Sequence, residues 1–237
     1  MNRRTGCCIR QNAGEDSAKC VEKAGIGKGN GMDQKHRIFC LMGKSASGKD
    51  TIYGKLRARA EKDGNTLLGE VVPYTTRPIR TGEKNGISYY FETDPEFEEA
   101  RRNGAIIESR DYDTVYGIWH YYTKDDGQID LNCRSYLLIG TLESYEAFVR
   151  YFGEDRVVPL YVELEAGERL QRALNRERSQ EHPRYAELCR RFLSDEQDFS
   201  EEKLQKAGIR RRFVNTDADQ CTEEIWMEIC RKLDLNR

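Results

Sequence analysis

The sequence predicts an α/β fold, a mostly parallel sheet sandwiched between helices, and two observations carry that expectation. Short continuous apolar runs alternate with longer stretches of helical periodicity along most of the 237-residue chain. The runs are bounded by Gly or polar residues and lack an alternating polar face, which suits strands covered on both sides. With 38% apolar and 34% charged residues, no window approaches the ~18 uninterrupted apolar residues of a membrane-spanning helix.

The elements follow in order. Ile38-Phe39-Cys40-Leu41-Met42 predicts the first strand, ending at Gly43. Thr51–Lys62 carries Ile52, Leu56 and Ala60 at helical spacing and is closed by Asp63-Gly64. Gly69–Tyr74 predicts a second strand. Asp94-Pro95 is a cap and first-turn pair that opens a helix over 94–103, stopped by Gly104. Ala105-Ile106-Ile107 leads a strand into Glu108. Further strands are expected at 136–139, 157–162 and 213–214, with helices at 142–152, 166–178, 184–205 and 218–233. The polar, aromatic-dotted stretch 75–135 is too long for one loop and predicts a small inserted domain.

Charge divides the chain unevenly. The formal net charge is −2, but residues 1–31 carry +3 and the remainder −5. All 23 aromatic residues lie beyond residue 31, and the first 31 include six glycines. Such a segment cannot easily offset its ordering entropy, so 1–31 is expected to be a disordered, dispensable leader before a domain at 32–235. Near-neutral charge and no basic, aromatic-laced stripe argue against a nucleic-acid partner. The eight cysteines lack C-x-x-C spacing and the three histidines are dispersed, which leaves no zinc pattern. With no apolar leader for secretion, a cytoplasmic setting and no membrane partner are expected. Oligomeric state leaves no signature in the sequence.

The chemistry begins at Gly43-Lys44-Ser45-Ala46-Ser47-Gly48-Lys49, a G-x-x-x-x-G-K loop between a strand and a helix. Its glycines let successive N–H groups curl toward a phosphate, and the helix N-terminus adds its positive end. Lys49 supplies a mobile cation. The hydroxyl residue that usually follows the Lys is replaced by Asp50, with Thr51 next, a candidate phosphate contact. Asp50 suits two roles, a ligand to Mg²⁺ or a favourable charge in the first helical turn.

A second phosphate-type loop is Thr75-Thr76-Arg77-Pro78-Ile79-Arg80-Thr81-Gly82-Glu83. Guanidinium groups bind phosphate bidentately, so Arg77 and Arg80 fit an acceptor monophosphate. A donor nucleotide and a phosphorylated acceptor together suggest phosphoryl transfer.

The loop at 43–49, T-T-R-x-x-R-x-G-E at 75–83, Asn85-Gly86, Tyr89-x-Phe91, Ile107-Glu108, Tyr116-Gly117, the basic segment 172–191 and Val214-Asn215 together resemble guanylate kinase over about residues 36–235. The resemblance implies a three-layer P-loop NTPase fold with a core at 36–74 and 136–235, an inserted acceptor-binding (NMP) domain at about 75–135, and a helical lid at about 172–205. It implies ATP and GMP as substrates, with Mg²⁺. Residues 43–51 and Asn215 would bind ATP. Arg77, Arg80, Glu83, Tyr89 and Tyr116 would bind or support the GMP phosphate. Glu108 would accept from guanine N1–H and the 2-amino group. Lys49, Arg172, Arg176 and Arg191 would neutralise charge in the transfer, with Arg190 adjacent to Arg191 as an alternative register.

Bland roles stay open for several of these. Tyr89 and Tyr116 suit packing in a small sheet, Glu108 an exposed strand end, and Arg172 and Arg176 a solvated helix face. The chain also departs from the resembled pattern. Pro73 stands where a small hydroxyl residue is usual, and Leu138-Ile139-Gly140-Thr141 replaces an Asp-bearing strand. Those departures leave open a kinase for another nucleoside monophosphate, or a non-catalytic binding module.

Overall fold

The computed structural model describes residues 36–62, 68–114 and 117–234. The expected leader at 1–31, the Asp63-Gly64 stop and Tyr116 lie outside these residues.

β1 (Ile38–Met42) has all five side chains buried. It lies at the centre of a five-stranded sheet between β7 (Ser135–Ile139) and β8 (Val157–Glu163). The outer strands are β2 (Leu68–Gly69), beside β7, and β9 (Arg212–Val214), beside β8. Every pairing in this sheet is parallel, with Ile38 level with both Tyr136 and Val157. Parallel strands need crossovers, and those crossovers cover both faces. Successive side chains of β1 serve opposite layers. Phe39 and Leu41 pack with α1 (Lys49–Lys62) and α7 (Ala218–Lys232) through Ile52, Leu56, Ile225 and Ile229. Ile38, Cys40 and Met42 pack with α3 (Leu142–Phe152) and with Phe199, Leu204 and Ile209. α3 is opened by Thr141, whose hydroxyl accepts from Ser144 N–H at 3.2 Å, while Ser144 Oγ accepts from Thr141 N–H at 2.8 Å.

Two expected elements are broken in the fold, each for a physical reason. The single strand at Gly69–Tyr74 is two. β2 ends at Gly69, and β3 (Tyr74–Thr75) joins a different sheet. Pro73 has no N–H for a ladder. Gln128 holds the crossing chain instead, accepting from Val72 N–H at 3.0 Å and donating to the Val72 carbonyl at 3.3 Å. The helix at 184–205 is also two, α5 (Tyr185–Asp198) and α6 (Glu201–Lys206). Phe199 and Leu204 are both buried against the sheet layer. Five residues apart on one helix they would point about 140° away from each other. The break at Phe199-Ser200 turns both inward.

The second sheet has order β4-β3-β6-β5, built from β3, β4 (Tyr90–Phe91), β5 (Ile106–Thr114) and β6 (Gly117–Lys124). β5 and β6 are antiparallel, with a register shift between Ile106 and Glu108. β5 thus runs well past the expected 105–107. Its continuation is polar and lacks an apolar stripe. α2 (Asp94–Arg102) covers this sheet by burying Phe97 against Tyr122, ring centroids 4.9 Å apart, and Tyr122 stacks on Tyr74 at 5.5 Å. Tyr122 keeps its hydroxyl satisfied by donating to Glu92 Oε2 at 2.6 Å. Because this small core has only three fully packed rings, Phe97→Ala is expected to cost about 3–4 kcal/mol, read as a lowered denaturant midpoint.

Candidate active site

The loop that follows β1 is shaped by two left-handed residues, Ala46 (φ 61°) and Gly48 (φ 87°). A Cβ at Gly43 would lie 2.6 Å from the Val162 carbonyl, so that approach requires glycine. Ser47 N–H donates to the Lys44 carbonyl at 3.1 Å, closing the turn. Behind the loop, Asn215 is buried, and its Nδ2 donates to the Ser47 carbonyl at 2.6 Å. Its own N–H donates to the Glu163 carbonyl at 2.8 Å, tying β8 to the loop. Asn215, expected at the adenine ring, here braces the phosphate loop. A Cβ on Gly48 would collide with its side chain. The Ser47 hydroxyl and Asn215 Oδ1 are buried and unpartnered. Lys49 opens α1 with its Nζ 3.7 Å from Asp50 Oδ2. Asp50 and Thr51 are exposed.

α4 (Ala166–Arg178) and α5 flank the loop. Arg172 Nη2 donates to the Asn215 carbonyl at 3.3 Å, which sets it beside the phosphate loop. Arg176 and Arg191 line a cleft of about 450 Å³ together with Ser45, Arg184, Glu187 and Phe192. Arg190 is absent from that lining, so the structure separates the two adjacent arginines. Glu187 receives hydrogen bonds from both, at 2.8 Å each, and its pKa is held at about 2 by Arg190 foremost.

A charged cluster here escaped the sequence reading. Arg169 is almost fully buried, pairs with Glu196 and lies 4.8 Å over the Phe192 ring. Lys44 Nζ binds the other Glu196 oxygen at 2.7 Å, and Ser45 N–H donates to Asp195 Oδ2 at 2.6 Å. Burial pushes the Glu196 carboxyl up, but Lys44 and Arg169 outweigh it and hold it below its ordinary value. The one available signal was that Arg169 shares a helical face with Ala173 and Arg176. Its partners Phe192 and Glu196 lie more than 20 residues away and carry no pattern.

The acceptor side is built on β3, β5 and β6. Arg77 is buried, and its guanidinium meets Glu83 through two bonds of 2.9 and 2.8 Å. Its Nε donates to the Tyr121 hydroxyl at 3.0 Å, and its face lies over Tyr89 and Phe91 at 5.3 and 5.5 Å. Glu83 also accepts from Arg80 N–H at 2.8 Å, so one carboxylate closes the whole loop, and the Arg80 side chain stays exposed. The Arg77 hydrogen bonds, then the Arg80 N–H, bring the Glu83 pKa to about 2. Glu108 is buried, contrary to an exposed strand end. Its Oε1 accepts from Thr123 Oγ1 at 2.9 Å and its Oε2 from Arg110 Nε at 3.1 Å. Tyr89 packs edge-on to Tyr121 at 5.7 Å, a packing role alongside its place beside Arg77. Pro73 offers its carbonyl to Tyr90 N–H at 2.9 Å, and Ile139 is exposed at the strand end where an Asp was missed.

The loop after β1 is thus contacted by α4 and α5, and the second sheet carries a buried carboxylate and a braced arginine loop. Residues 35–122 match the guanylate kinase family model. The guanylate kinase of Shouchella clausii is 35% identical over 79 residues, covering 33% of this chain and 36% of that protein. The guanylate kinase of Thermobifida fusca is 36% identical over 83 residues, covering 35% and 40%. The chain thus spans less than half the length of these curated relatives. The crystal structure of guanylate kinase from Anaplasma phagocytophilum is similar over 84% of this chain and 87% of that one, with a TM-score of 0.57 and 20% identity. At that identity the likeness concerns the fold. The family-model match holds the loop at 43–49, the arginine loop and Glu108, and stops before Arg172, Arg176 and Arg191.

Two outcomes follow from these pairs. The Arg77–Glu83 contribution to stability is complete above pH 4.5 and is lost as pH falls through about 2, because the folded pKa is the lowered one. Acid-unfolding curves of the wild type and Glu83→Gln should differ above pH 4.5 and converge near pH 2. Arg169→Ala should cost about 2 kcal/mol, or about 4–8 °C in melting temperature by calorimetry, since it strands part of a buried network.

Proposed function

We propose that the protein is a nucleoside monophosphate kinase that transfers the γ-phosphoryl group of ATP to GMP or dGMP, giving ADP and the nucleoside diphosphate. The observation that carries this reading is the pairing of the phosphate loop at the end of β1 with the Arg77–Glu83 loop and buried Glu108 on the neighbouring sheet. An oxygen of the acceptor phosphate attacks the γ-phosphorus, and the bond from that phosphorus to the β,γ-bridging oxygen breaks. No covalent enzyme intermediate is required.

Each residue has a role in this reading. The N–H groups of residues 43–51 cradle the donor phosphates, and Lys49 neutralises charge on the β- and γ-phosphates. Arg172, Arg176 and Arg191 clamp the moving group from the lid helices and keep water out. Arg80, exposed beside the rigid Arg77–Glu83 pair, meets the acceptor phosphate, with Arg77, Tyr89 and Tyr116 completing that subsite. Glu108 reads the base. Mg²⁺ would supply positive charge that offsets the charge developing on the transferred group. Asp50, an exposed carboxylate in the first turn of α1, fits one of its ligands, since Mg²⁺ takes few protein oxygens. Among the described residues no three His, Cys, Asp or Glu side chains gather into a metal site of their own. None of their helices is long and apolar enough to cross a membrane. A cytoplasmic setting goes with these substrates.

A second reading, a kinase for another nucleoside monophosphate, draws support from Pro73 and Ile139, which offer no polar side chain where the resembled family has one. A coupled ADP-release assay with GMP, dGMP, AMP, UMP and CMP separates them. GMP or dGMP should be preferred, and Lys49→Ala should lower turnover by about 10²–10³-fold with the fold intact by circular dichroism. GMP binding without ATP consumption would instead mark a non-catalytic module.

A further inference from the structure

The acceptor face carries a second side chain with the chemistry to read a guanine base. Arg110 follows Glu108 by two positions on β5, so both side chains stand on one face of the sheet. Arg110 is level with Tyr121 of β6, the residue that binds Arg77, so it lies on the face that carries the acceptor loop. Its side chain is 18% exposed, and that of Glu108 is 2% exposed. The two form an ion pair through Arg110 Nε and Glu108 Oε2 at 3.1 Å. Tyr112, Tyr89 and Cys40 are further titratable groups that interact with the Arg110 charge.

The hydrogen-bond inventory of this pair is incomplete. A guanidinium has five N–H donors. Among the described residues Arg110 uses only Nε, and its two terminal amino groups have no hydrogen-bond partner. They are not sealed in the interior, since neither is among the fully buried orphaned atoms. A mostly desolvated donor pair left open toward a binding face calls for an acceptor. Glu108 has one bond on each oxygen and about two of its lone-pair sites left. Side by side, the pair therefore offers two acceptors and then a donor.

Guanine presents the complement along one edge, with the 2-amino group and N1–H as donors and then O6 as acceptor. Adenine presents an acceptor at N1 and a donor at its 6-amino group, a mismatch at both positions. We infer that Arg110 is a specificity-determining residue, donating from its terminal amino groups to guanine O6 while Glu108 accepts from N1–H and the 2-amino group. It supplies a donor on a face where Pro73 has no side-chain hydroxyl to give. The inference rests on the proposed GMP-kinase reading and assigns the base contact within it.

The test uses three acceptors that differ in single groups. 6-Thio-GMP keeps both guanine donors and exchanges O6 for sulfur, a weak acceptor. IMP keeps O6 and N1–H and lacks only the 2-amino group. Values of kcat/KM are measured for wild type, Arg110→Met, which keeps the packed stem, and Arg110→Lys. The wild type should prefer GMP over 6-thio-GMP by about 10-fold or more. In Arg110→Met that preference should fall to within about 2-fold while the GMP-to-IMP ratio holds, and Arg110→Lys should restore part of it. Calorimetric binding of the same nucleotides carries the same comparison if turnover is absent. An equal loss for all three acceptors in Arg110→Met would overturn the inference and leave the kinase reading standing, since Arg110 would then act on the phosphate or only steady Glu108. Failure of the wild type to bind or phosphorylate GMP would overturn the GMP reading and this inference together.

Discussion

The five side chains of β1 are all out of water, and they alternate between two helical layers. A strand so placed cannot end in a casual turn, because a Cβ at Gly43 or Gly48 would meet the Val162 carbonyl or the Asn215 side chain. The loop at 43–49 solves that problem by curling its backbone, which turns N–H donors toward one point. Asn215 and the Val162 carbonyl close it from behind. The central strand and the phosphate loop are therefore one constraint, and the rest of the sheet is arranged around it.

Several cations, at the loop 43–49, on α4 and α5 and on the second sheet, are paired with carboxylates. Arg77 is held by Glu83, Arg169 and Lys44 by Glu196, Arg190 and Arg191 by Glu187, and Arg110 by Glu108. Such pairing lowers the cost of keeping Arg77, Arg110 and Arg169 largely out of water and fixes the planes of their guanidinium groups. It also means that a bound anion competes with resident carboxylates. The clearest instance is Asp195, which already takes the Ser45 N–H at the shoulder of the phosphate loop.

Much of this was legible because it is local. The phosphate loop, the helix after it and the arginine loop are set by residues within about ten positions of one another, and spacing alone reports them. The long β5–β6 hairpin escaped because its exposed residues carry no apolar alternation. Arg169 escaped because its partners are distant in sequence. Glu108 stands out in the sequence as a candidate base contact, yet its bond to Arg110 does not, since a charged pair two residues apart on a strand looks the same in sequence whether buried or solvated.

The sequence by itself determined the alternation of strand and helix through most of the main sheet, the burial of the central strand and the position of the glycine-bounded loop after it, because periodicity and glycine placement act over short range. Only the tertiary structure decided that Gly69–Tyr74 is divided between two sheets, that Asn215 braces the loop at 43–49 and that Arg191 lines the cleft beside α4 and α5 while Arg190 does not. Those outcomes depend on which surfaces meet across the fold. A buried hydrogen bond between residues over a hundred positions apart leaves no spacing to read.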